Sequence, residues 1–290
     1  MISYKKAVLL WREKHIQTDA ELAEALNGHM ISFAYHSGNL ENQNITYHDT
    51  REIFEHDGVT QYTGDLRTLF EIRNAKWANE YLLESFAVRR PLDESFVREL
   101  QKRLTYATYD TRRYQLGERP GEYKHHDYVT GREEVGAAPE DVSAEISELL
   151  EELRGISPDN ALVAAAYFHA KFENIHPFAD GNGRTGRLAM NYFLLLHDHP
   201  PIIIHQENRN SYFAALEAWD REQSLEPMCD FLRAQTVKTW EKQLQREEEK
   251  APTKKKPSLT DCLRSASVVA EERNRKAQPT HPLRPLSHDK

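Results

Sequence analysis

A run of twelve residues, from His176 to Arg187, combines the residue types that a nucleotide-phosphate site needs. It holds a base, an acid, a Gly-Asn-Gly turn and two arginines, and apolar segments of helical period precede and follow it. His176 has an ordinary pKa of about 6.5, which suits it to take a hydroxyl proton near neutral pH. Asp180 suits a hard divalent cation shared with phosphates, and magnesium is the first candidate.

The glycines and arginines of this run predict a site for anions. Gly181 and Gly183 can adopt backbone conformations closed to other residues and let main-chain N–H groups approach a ligand. If a helix begins near Gly183, its free N–H groups and the positive end of its dipole attract phosphate. Arg184 and Arg187 are three residues apart, so on that helix they share a face and can clamp neighbouring phosphates.

Each of these residues also has an ordinary structural interpretation. Gly-Asn-Gly is a common turn between helices, and a His-Pro pair can simply end a helix. A purely structural loop, however, has no need for two arginines, an acid and a base within twelve positions. The combination therefore favours a functional loop.

The same run resembles the signature of the Fic (Fic/Doc) family, His-x-Phe-x-Asp/Glu-Gly-Asn-Gly-Arg-x-x-Arg, with every fixed position filled. The resemblance implies an all-α fold, a Fic-type helical bundle with a small β-hairpin flap. It also implies transfer of AMP from ATP to a Ser, Thr or Tyr hydroxyl of a target protein. Kinase-like relatives usually depart from this motif or from its nucleotide pose. Phosphoryl transfer and a non-catalytic nucleotide-binding module remain alternatives.

The resemblance assigns roles to individual residues. His176 would be the base that deprotonates the target hydroxyl, and Asp180 would hold Mg²⁺. The groups that would hold ATP are Gly181, Asn182 and Gly183 at the α- and β-phosphates, Arg184 and Arg187 at the β- and γ-phosphates, and Tyr212 and Asp220 near the nucleoside.

A second motif lies upstream, where Ser37 is followed four residues later by Glu41 and Asn42. By itself this stretch predicts a helix terminus followed by a turn. Within the family it is similar to the inhibitory motif Ser/Thr-x-x-x-Glu-Gly/Asn, which implies an inhibitory helix over about residues 31–42. Glu41 would then pair with Arg187, where the γ-phosphate should bind. Gly38 is expected to weaken this helix by ~1 kcal/mol relative to alanine.

The rest of the chain predicts helices grouped around this site. We expect N-terminal helices over 1–64, one of them running through Leu22, Leu26 and Met30, and a catalytic core over 65–249. Asp65 is expected to cap a long helix, and Thr46 a short one. Residues 250–290 contain a lysine triplet and several prolines, and their composition predicts disorder.

Glycines and a proline around residues 121–132 predict a hairpin in an otherwise helical chain. His125-His126-Asp127 suggests a metal site, but adjacent residues on a strand point to opposite faces. The family resemblance instead implies a flap that aligns the target by strand addition, with docking beside Tyr128 and Val129.

Composition limits the remaining functions. The chain has 290 residues, 39% hydrophobic and 29% charged, with a formal net charge of −8, which disfavours a non-specific grip on nucleic acid. Its two cysteines lack metal-ligand spacing and fit a reducing cytoplasm, and no apolar run approaches a membrane span. We expect a cytoplasmic enzyme with a protein target, possible self-modification and a possible homodimer that buries the inhibitory helix.

Overall fold

The computed structural model describes residues 3–128 and 136–250, and the regular secondary structure within these ranges is helical. The all-α prediction is therefore confirmed for the described chain. The helices are α1 Tyr4–Arg12, α2 Asp19–Ala25, α3 His29–Asn39, α4 Tyr47–His56, α5 Leu66–Ala87, α6 Glu94–Leu104, α7 Thr111–Gln115, α8 Val142–Glu152, α9 Ala161–Ile175, α10 Asn182–Leu196, α11 Arg209–Glu222 and α12 Glu226–Lys250.

Several helices begin where a polar side chain can cap them. Thr18 and Glu21 form a reciprocal capping box at α2, and Thr46 accepts a hydrogen bond from the Asp49 backbone at α4. Asp65 accepts one from the Thr68 N–H and so starts α5 at the predicted position. These caps satisfy backbone donors that a helix start leaves without partners.

Helix α10 lies at the centre of the molecule and packs against α9, α6, α5 and α3. Nearly all of its side chains are buried, which is expected of a helix that is apolar around most of its circumference. Its last two turns supply core residues, namely Leu188, Ala189, Met190, Tyr192, Phe193, Leu194 and Leu195. The polar first turn of α10 is thereby fixed beside the end of α9, where His176 lies.

The inhibitory helix differs from its predicted bounds at both ends. Gly28 has a left-handed backbone (φ 78°) and separates α2 from α3, so the single helix predicted through Met30 is in fact divided. Helix α3 ends at Asn39, and Glu41 follows in a tight turn. The Glu41 N–H bonds to the Gly38 carbonyl. Glu41 is thus carried by a turn rather than by the helix.

The predicted hairpin is not seen as strands in the described residues. Residues 121–128, which we call the flap arm, are turn and irregular structure. The Lys124 and His125 N–H groups bond to the Pro177 carbonyl and the Glu118 carboxylate, so they do not pair with a second strand. Val129 and the rest of the predicted flap, up to residue 132, lie outside the described residues.

Residues Met1–Leu244 form one compact unit, which includes the N-terminal helices together with the motif helices. A second unit, Gln245–Lys290, is described only through the end of α12, so the predicted disordered tail lies outside the described residues. Among the helices over 3–128 and 136–250, none combines the length and apolar character needed to cross a membrane.

Candidate active site

The predicted motif lines a cleft of about 1200 Å³ together with the turn after α3 and the first part of α11. His176, Asp180, Gly181, Asn182, Gly183, Arg184 and Arg187 all lie on this cleft, and so do Glu41, Tyr128 and Tyr212. The structure therefore brings together residues that are up to 180 positions apart in the chain (221 minus 41, since Arg221 also lines it).

His176 ends α9 in a left-handed backbone conformation (φ 51°), and its N–H bonds to the Phe172 carbonyl. This conformation turns the chain from α9 into the motif loop. Burial, with a further contribution from the positive charge of Lys124, lowers the pKa of His176 to about 4. The imidazole is consequently neutral near pH 7 and able to accept a proton.

The start of α10 is open to the cleft. Gly181 is its N-cap with φ 81°, and no side chain caps the helix there. The Asn182 side chain is buried and makes two hydrogen bonds to the Phe178 backbone, at 2.9 and 2.7 Å, so it closes the loop. What remains for a ligand is the main-chain N–H groups of the first turn and the positive end of the helix dipole.

Asp180 is surrounded by guanidinium groups. Its Oδ2 lies 2.9 Å from Arg67 Nη2 and 3.8 Å from Arg113 Nη2, and its Oδ1 lies 3.4 Å from Arg184 Nη2. Arg67 also binds Glu71, which is buried and lies 3.9 Å from Arg184 Nη1. Arg184 keeps two nitrogens, Nε and Nη1, buried without a hydrogen-bond partner, so it retains capacity for an anion.

Arg187 is 1% exposed and is held by Ser37 on α3 and by Glu41 in the turn after it. Its Nε donates to Ser37 Oγ and its Nη2 to the Ser37 carbonyl, each at 2.9 Å, while Nη2 also meets Glu41 Oε1 at 2.8 Å. Desolvation raises the pKa of Glu41, but the charge and hydrogen bond of Arg187 outweigh it and leave that pKa below its ordinary value. Glu41 is therefore ionised in this contact.

The Glu41 carboxylate lies directly over the first turn of α10. A Cβ placed on Gly183 would come within 2.3 Å of Glu41 Oε1 and 2.8 Å of Arg187 Nη1. Glycine at this position thus allows a carboxylate oxygen to approach the helix start as closely as a phosphate would need to. The predicted pairing of Glu41 with Arg187 has a direct geometric counterpart.

Tyr212 lies beneath Arg187, 1% exposed. Its hydroxyl is 2.7 Å from His169 Nε2 and accepts a 3.4 Å contact from Arg187 Nη1. The ring stacks on His169, with centroids 5.7 Å apart. The phenol therefore orients Arg187 from below, and Asp220 farther along α11 accepts a 2.8 Å hydrogen bond from Asn174.

Two further groups are absent from the sequence predictions: Glu173, which lines the cleft, and His169, which is fully buried next to it and to Tyr212. They precede His176 on α9 by three and seven residues, so helical periodicity alone could have placed them on its face. Burial raises the pKa of Glu173 to about 8 and lowers that of His169 to about 3. Glu173 Oε1 and His169 Nδ1 are buried without hydrogen-bond partners and lie 4.0 Å apart.

Comparison with known proteins agrees with this geometry. The model of the Fic/DOC family matches residues 91–194, which include the complete motif loop. Residues 91–194 are thus similar to the Fic/DOC family. Curated relatives include the "Protein adenylyltransferase Fic" of Drosophila persimilis, 28% identical over 236 residues, and that of Drosophila mojavensis, 27% identical over 234 residues. These matches cover 77% of this chain but only 42% and 43% of the relatives, so the chain spans less than half of their length.

Solved structures show the same fold. A Fic domain containing signaling protein from Bacteroides thetaiotaomicron is 24% identical and superposes with a TM-score of 0.70, covering 83% of this chain and 95% of that one. Fic-1 from C. elegans is 21% identical with a TM-score of 0.67, covering 86% of this chain and 74% of that one. The helical arrangement described above is thus that of Fic proteins.

Proposed function

We propose that this Fic domain is a protein adenylyltransferase that transfers AMP from ATP to a Ser, Thr or Tyr hydroxyl of a target protein, and that Glu41 holds it inactive. The observation that carries the proposal is the Glu41 carboxylate on Arg187, directly over Gly183 at the open start of α10. An anion already occupies the anion site, and it belongs to the chain itself. The names of the relatives support the reaction class.

The proposed base is His176. Its lowered pKa, about 4, keeps Nε2 or Nδ1 free to accept the hydroxyl proton at neutral pH. The target oxygen then attacks the α-phosphorus of ATP, the bond from that phosphorus to the oxygen that bridges to the β-phosphate breaks, and pyrophosphate leaves. The nucleophile comes from the target, so the enzyme needs no covalent intermediate.

Positive groups around the cleft would stabilise the phosphates. The N–H groups at the start of α10 and the two unpartnered nitrogens of Arg184 are fixed in place before a ligand arrives. Such preorganised donors lower the energy of developing charge without reorganisation. Arg187 would bind the terminal phosphates once Glu41 leaves.

Asp180 fits the role of the Mg²⁺ ligand in the proposed reaction. Magnesium is usually held by one or two carboxylates together with substrate phosphates, and Asp180 is a carboxylate on the phosphate side of the cleft. Within residues 3–128 and 136–250 no cluster of three or more His, Cys, Asp or Glu side chains that could hold a metal occurs. Bound there, the ion would neutralise phosphate charge.

Inhibition in this proposal comes from position more than from bond strength. Glu41 is 43% exposed and Arg187 only 1%, so water screens the carboxylate and the pair is weaker than a fully buried one. Its carboxylate nevertheless takes the Arg187 guanidinium and places negative charge beside the incoming γ-phosphate. ATP would then bind with its α-phosphate out of line for attack. The same carboxylate could orient a water, so removal of AMP from a modified target belongs to the proposal as a second direction.

The test uses wild type, Glu41→Gly and Glu41→Gly/His176→Ala, each with magnesium and ATP labelled at the α- or the γ-phosphate. We expect α-label on protein to rise roughly tenfold or more in Glu41→Gly and to vanish in the double variant. Glu217→Ala is the matched control, because it removes a carboxylate of the same cleft that pairs with Arg221 and not with Arg187.

Transfer of γ-label would instead identify a kinase-like phosphotransferase. If purified protein takes no label, cell lysate is added as a source of targets. Continued absence of label, with ATP binding that His176→Ala leaves unchanged, would identify a nucleotide-binding module and overturn the proposal.

A further inference from the structure

A buried carboxylate, Glu118, holds the flap arm in place, and the proposed reaction assigns it no role. Its side chain is 1% exposed. Four contacts converge on it: the His125 N–H at 3.0 and 3.3 Å to the two oxygens, the Tyr128 hydroxyl at 2.9 Å and His126 Nδ1 at 3.2 Å. Burying a carboxylate is costly unless it is hydrogen-bonded in this way, so the arrangement is specific.

These contacts also explain the His-His-Asp run that resembles a metal site. His125 contributes its backbone, and His126 turns its ring towards Glu118. Desolvation and the hydrogen bond to Glu118 raise the pKa of Tyr128 to about 12, so its hydroxyl remains a donor. The run is therefore held by Glu118 beside the cleft.

The flap arm and the segment that follows the undescribed residues lie on both sides of His176. The Lys124 N–H donates to the Pro177 carbonyl at 2.9 Å, and the Ala137 N–H donates to the Ile175 carbonyl at 3.0 Å. Gly136, with φ +69°, fits so closely that an added Cβ would lie 2.6 Å from the Ile175 carbonyl oxygen. The two neighbours of the proposed base, Ile175 and Pro177, are thus bonded to Ala137 and to Lys124 of the flap arm.

A third tie runs through Gln101 on α6, which is fully buried. Its Oε1 accepts from the Gly121 N–H at 2.6 Å, and its Nε2 donates to the Asp180 carbonyl at 2.8 Å. One side chain therefore connects the beginning of the flap arm to the motif loop. Glu118 fixes the other end of the same arm, at His125 to Tyr128.

We propose that Glu118 is a positioning residue for the target, acting through the flap arm: it sets the arm's height and direction relative to His176. The proposal rests on the proposed adenylyl transfer. In the described part of the chain, the backbones of His126, Asp127 and Tyr128 make no backbone–backbone hydrogen bond, so they can pair with an extended target segment. Glu118 holds this edge from the inside, where it does not compete with the target.

The test measures the acceptor KM, kcat and ATP affinity in a Glu41→Gly background. The acceptor is a His176→Ala copy of this chain supplied in trans, and the donor is α-labelled ATP. For Glu118→Ala we expect the acceptor KM to rise roughly tenfold or more, the loss expected when hydrogen bonds to a charged group are removed, while ATP affinity by calorimetry stays within about twofold. Glu118→Gln keeps the shape of the side chain and one acceptor oxygen, so it should reverse part of the rise in acceptor KM.

Glu122→Ala is the matched control, since Glu122 is an exposed carboxylate in the same arm, 51% exposed. A merely structural role would lower ATP affinity and thermal stability together without a selective change in acceptor KM, and that result would overturn the proposal. Hydrogen exchange of the 124–128 amides provides a readout without activity. Faster exchange in Glu118→Ala supports the anchor, and unchanged exchange overturns it. If the parent labels neither this copy nor any protein of added cell lysate, the proposed function has failed, and exchange still decides the anchor.

Discussion

At the scale of single residues, burial determines which groups are charged in the cleft. His176 and His169 are neutral because burial lowers their pKa values, whereas Glu173 holds its proton because burial raises its own. Glu41 stays ionised because Arg187 outweighs its desolvation. Arg187 is thus influenced by one ionised glutamate, Glu41, and by one protonated glutamate, Glu173.

Glu173 makes a prediction about stability and pH. Its pKa of about 8 in the folded protein exceeds the unfolded value, so the folded state binds the extra proton between about pH 4.5 and 8. Stability should therefore fall as pH rises through that window. Glu173→Gln, which is always neutral, should remove this decline, so that its melting temperature exceeds that of wild type by an increasing margin towards pH 8.

The control for that measurement is Glu148→Gln, an exposed carboxylate on α8. It should follow the wild-type profile at every pH. A parallel decline of Glu173→Gln and wild type would mean that Glu173 is ionised in the folded protein.

The sequence predicted the motif and, through the family resemblance, Glu41, Tyr128 and Tyr212, but not the other residues that surround the motif. His176, Arg184 and Arg187 could be identified because they lie within one short run. Arg67, Glu71, Glu118 and Gln101 reach the site from α5, α6 and the loop after α7, and no local pattern connects them with it. Their roles depend on tertiary packing, which spacing along the chain does not encode.

At the scale of helices, the sequence predicted the N-caps of α4 and α5 but not where α2 and α3 end. Asp65 and Thr46 start α5 and α4 as predicted, because capping is a local interaction of a side chain with its own backbone. The division at Gly28 and the early end of α3 depend on packing instead. Gly38 belongs to this second kind, since an added Cβ would lie 2.7 Å from Ile45 Cδ1 and only 3.6 Å or more from the rest of that side chain.

This packing predicts that Gly38→Ala loosens inhibition although alanine favours helices. The clash with Ile45 costs about 1–3 kcal/mol, against a gain of about 1 kcal/mol in helix propensity. We expect higher basal transfer of α-label and a lower melting temperature. Ile45→Val deletes the Cδ1 atom, so the double variant Gly38→Ala/Ile45→Val should return both quantities towards wild type.

Ile45→Val alone is the control and should leave basal transfer nearly unchanged. If Gly38→Ala proves as inhibited and as stable as wild type, the contact between α3 and Ile45 does not hold the inhibitory turn in place.

At the scale of the whole molecule, α3 and the turn that carries Glu41 belong to the same compact unit as the motif loop, residues 176–187. The N-terminal helices pack on α12 through Trp240, whose ring lies 5.0 Å from that of Trp11 and stacks on His29 at 4.2 Å. Its Nε1 donates to the Pro201 carbonyl at 2.9 Å. His29 is the first residue of α3, so this aromatic cluster ties the start of the inhibitory helix to the core.

Trp240→Ala should therefore destabilise the protein by about 3–5 kcal/mol, the usual cost of removing a buried tryptophan. We expect one cooperative transition in chemical denaturation, shifted to lower denaturant, because Trp11, Leu22 and Leu40 belong to the same core cluster as the buried residues of α9 and α10. Trp77→Ala, at a partly exposed site on α5, should cost less. A separate early transition in Trp240→Ala would show that the N-terminal helices unfold independently.

The position of Glu41 after the end of α3 affects how often the carboxylate would leave Arg187 under the proposed inhibition. Ser37 holds Arg187 from within the helix, while Glu41 sits in a short turn that Asn42 ties to Thr68 and Glu71 on α5. Under the proposed inhibition, moving Glu41 aside rearranges that turn and its hydrogen bonds to α5, a local opening of the kind that occurs on microsecond to second timescales. The resting enzyme should then sample its active form continually. Its basal rate, divided by the rate of Glu41→Gly, would directly report the fraction of time the turn is open.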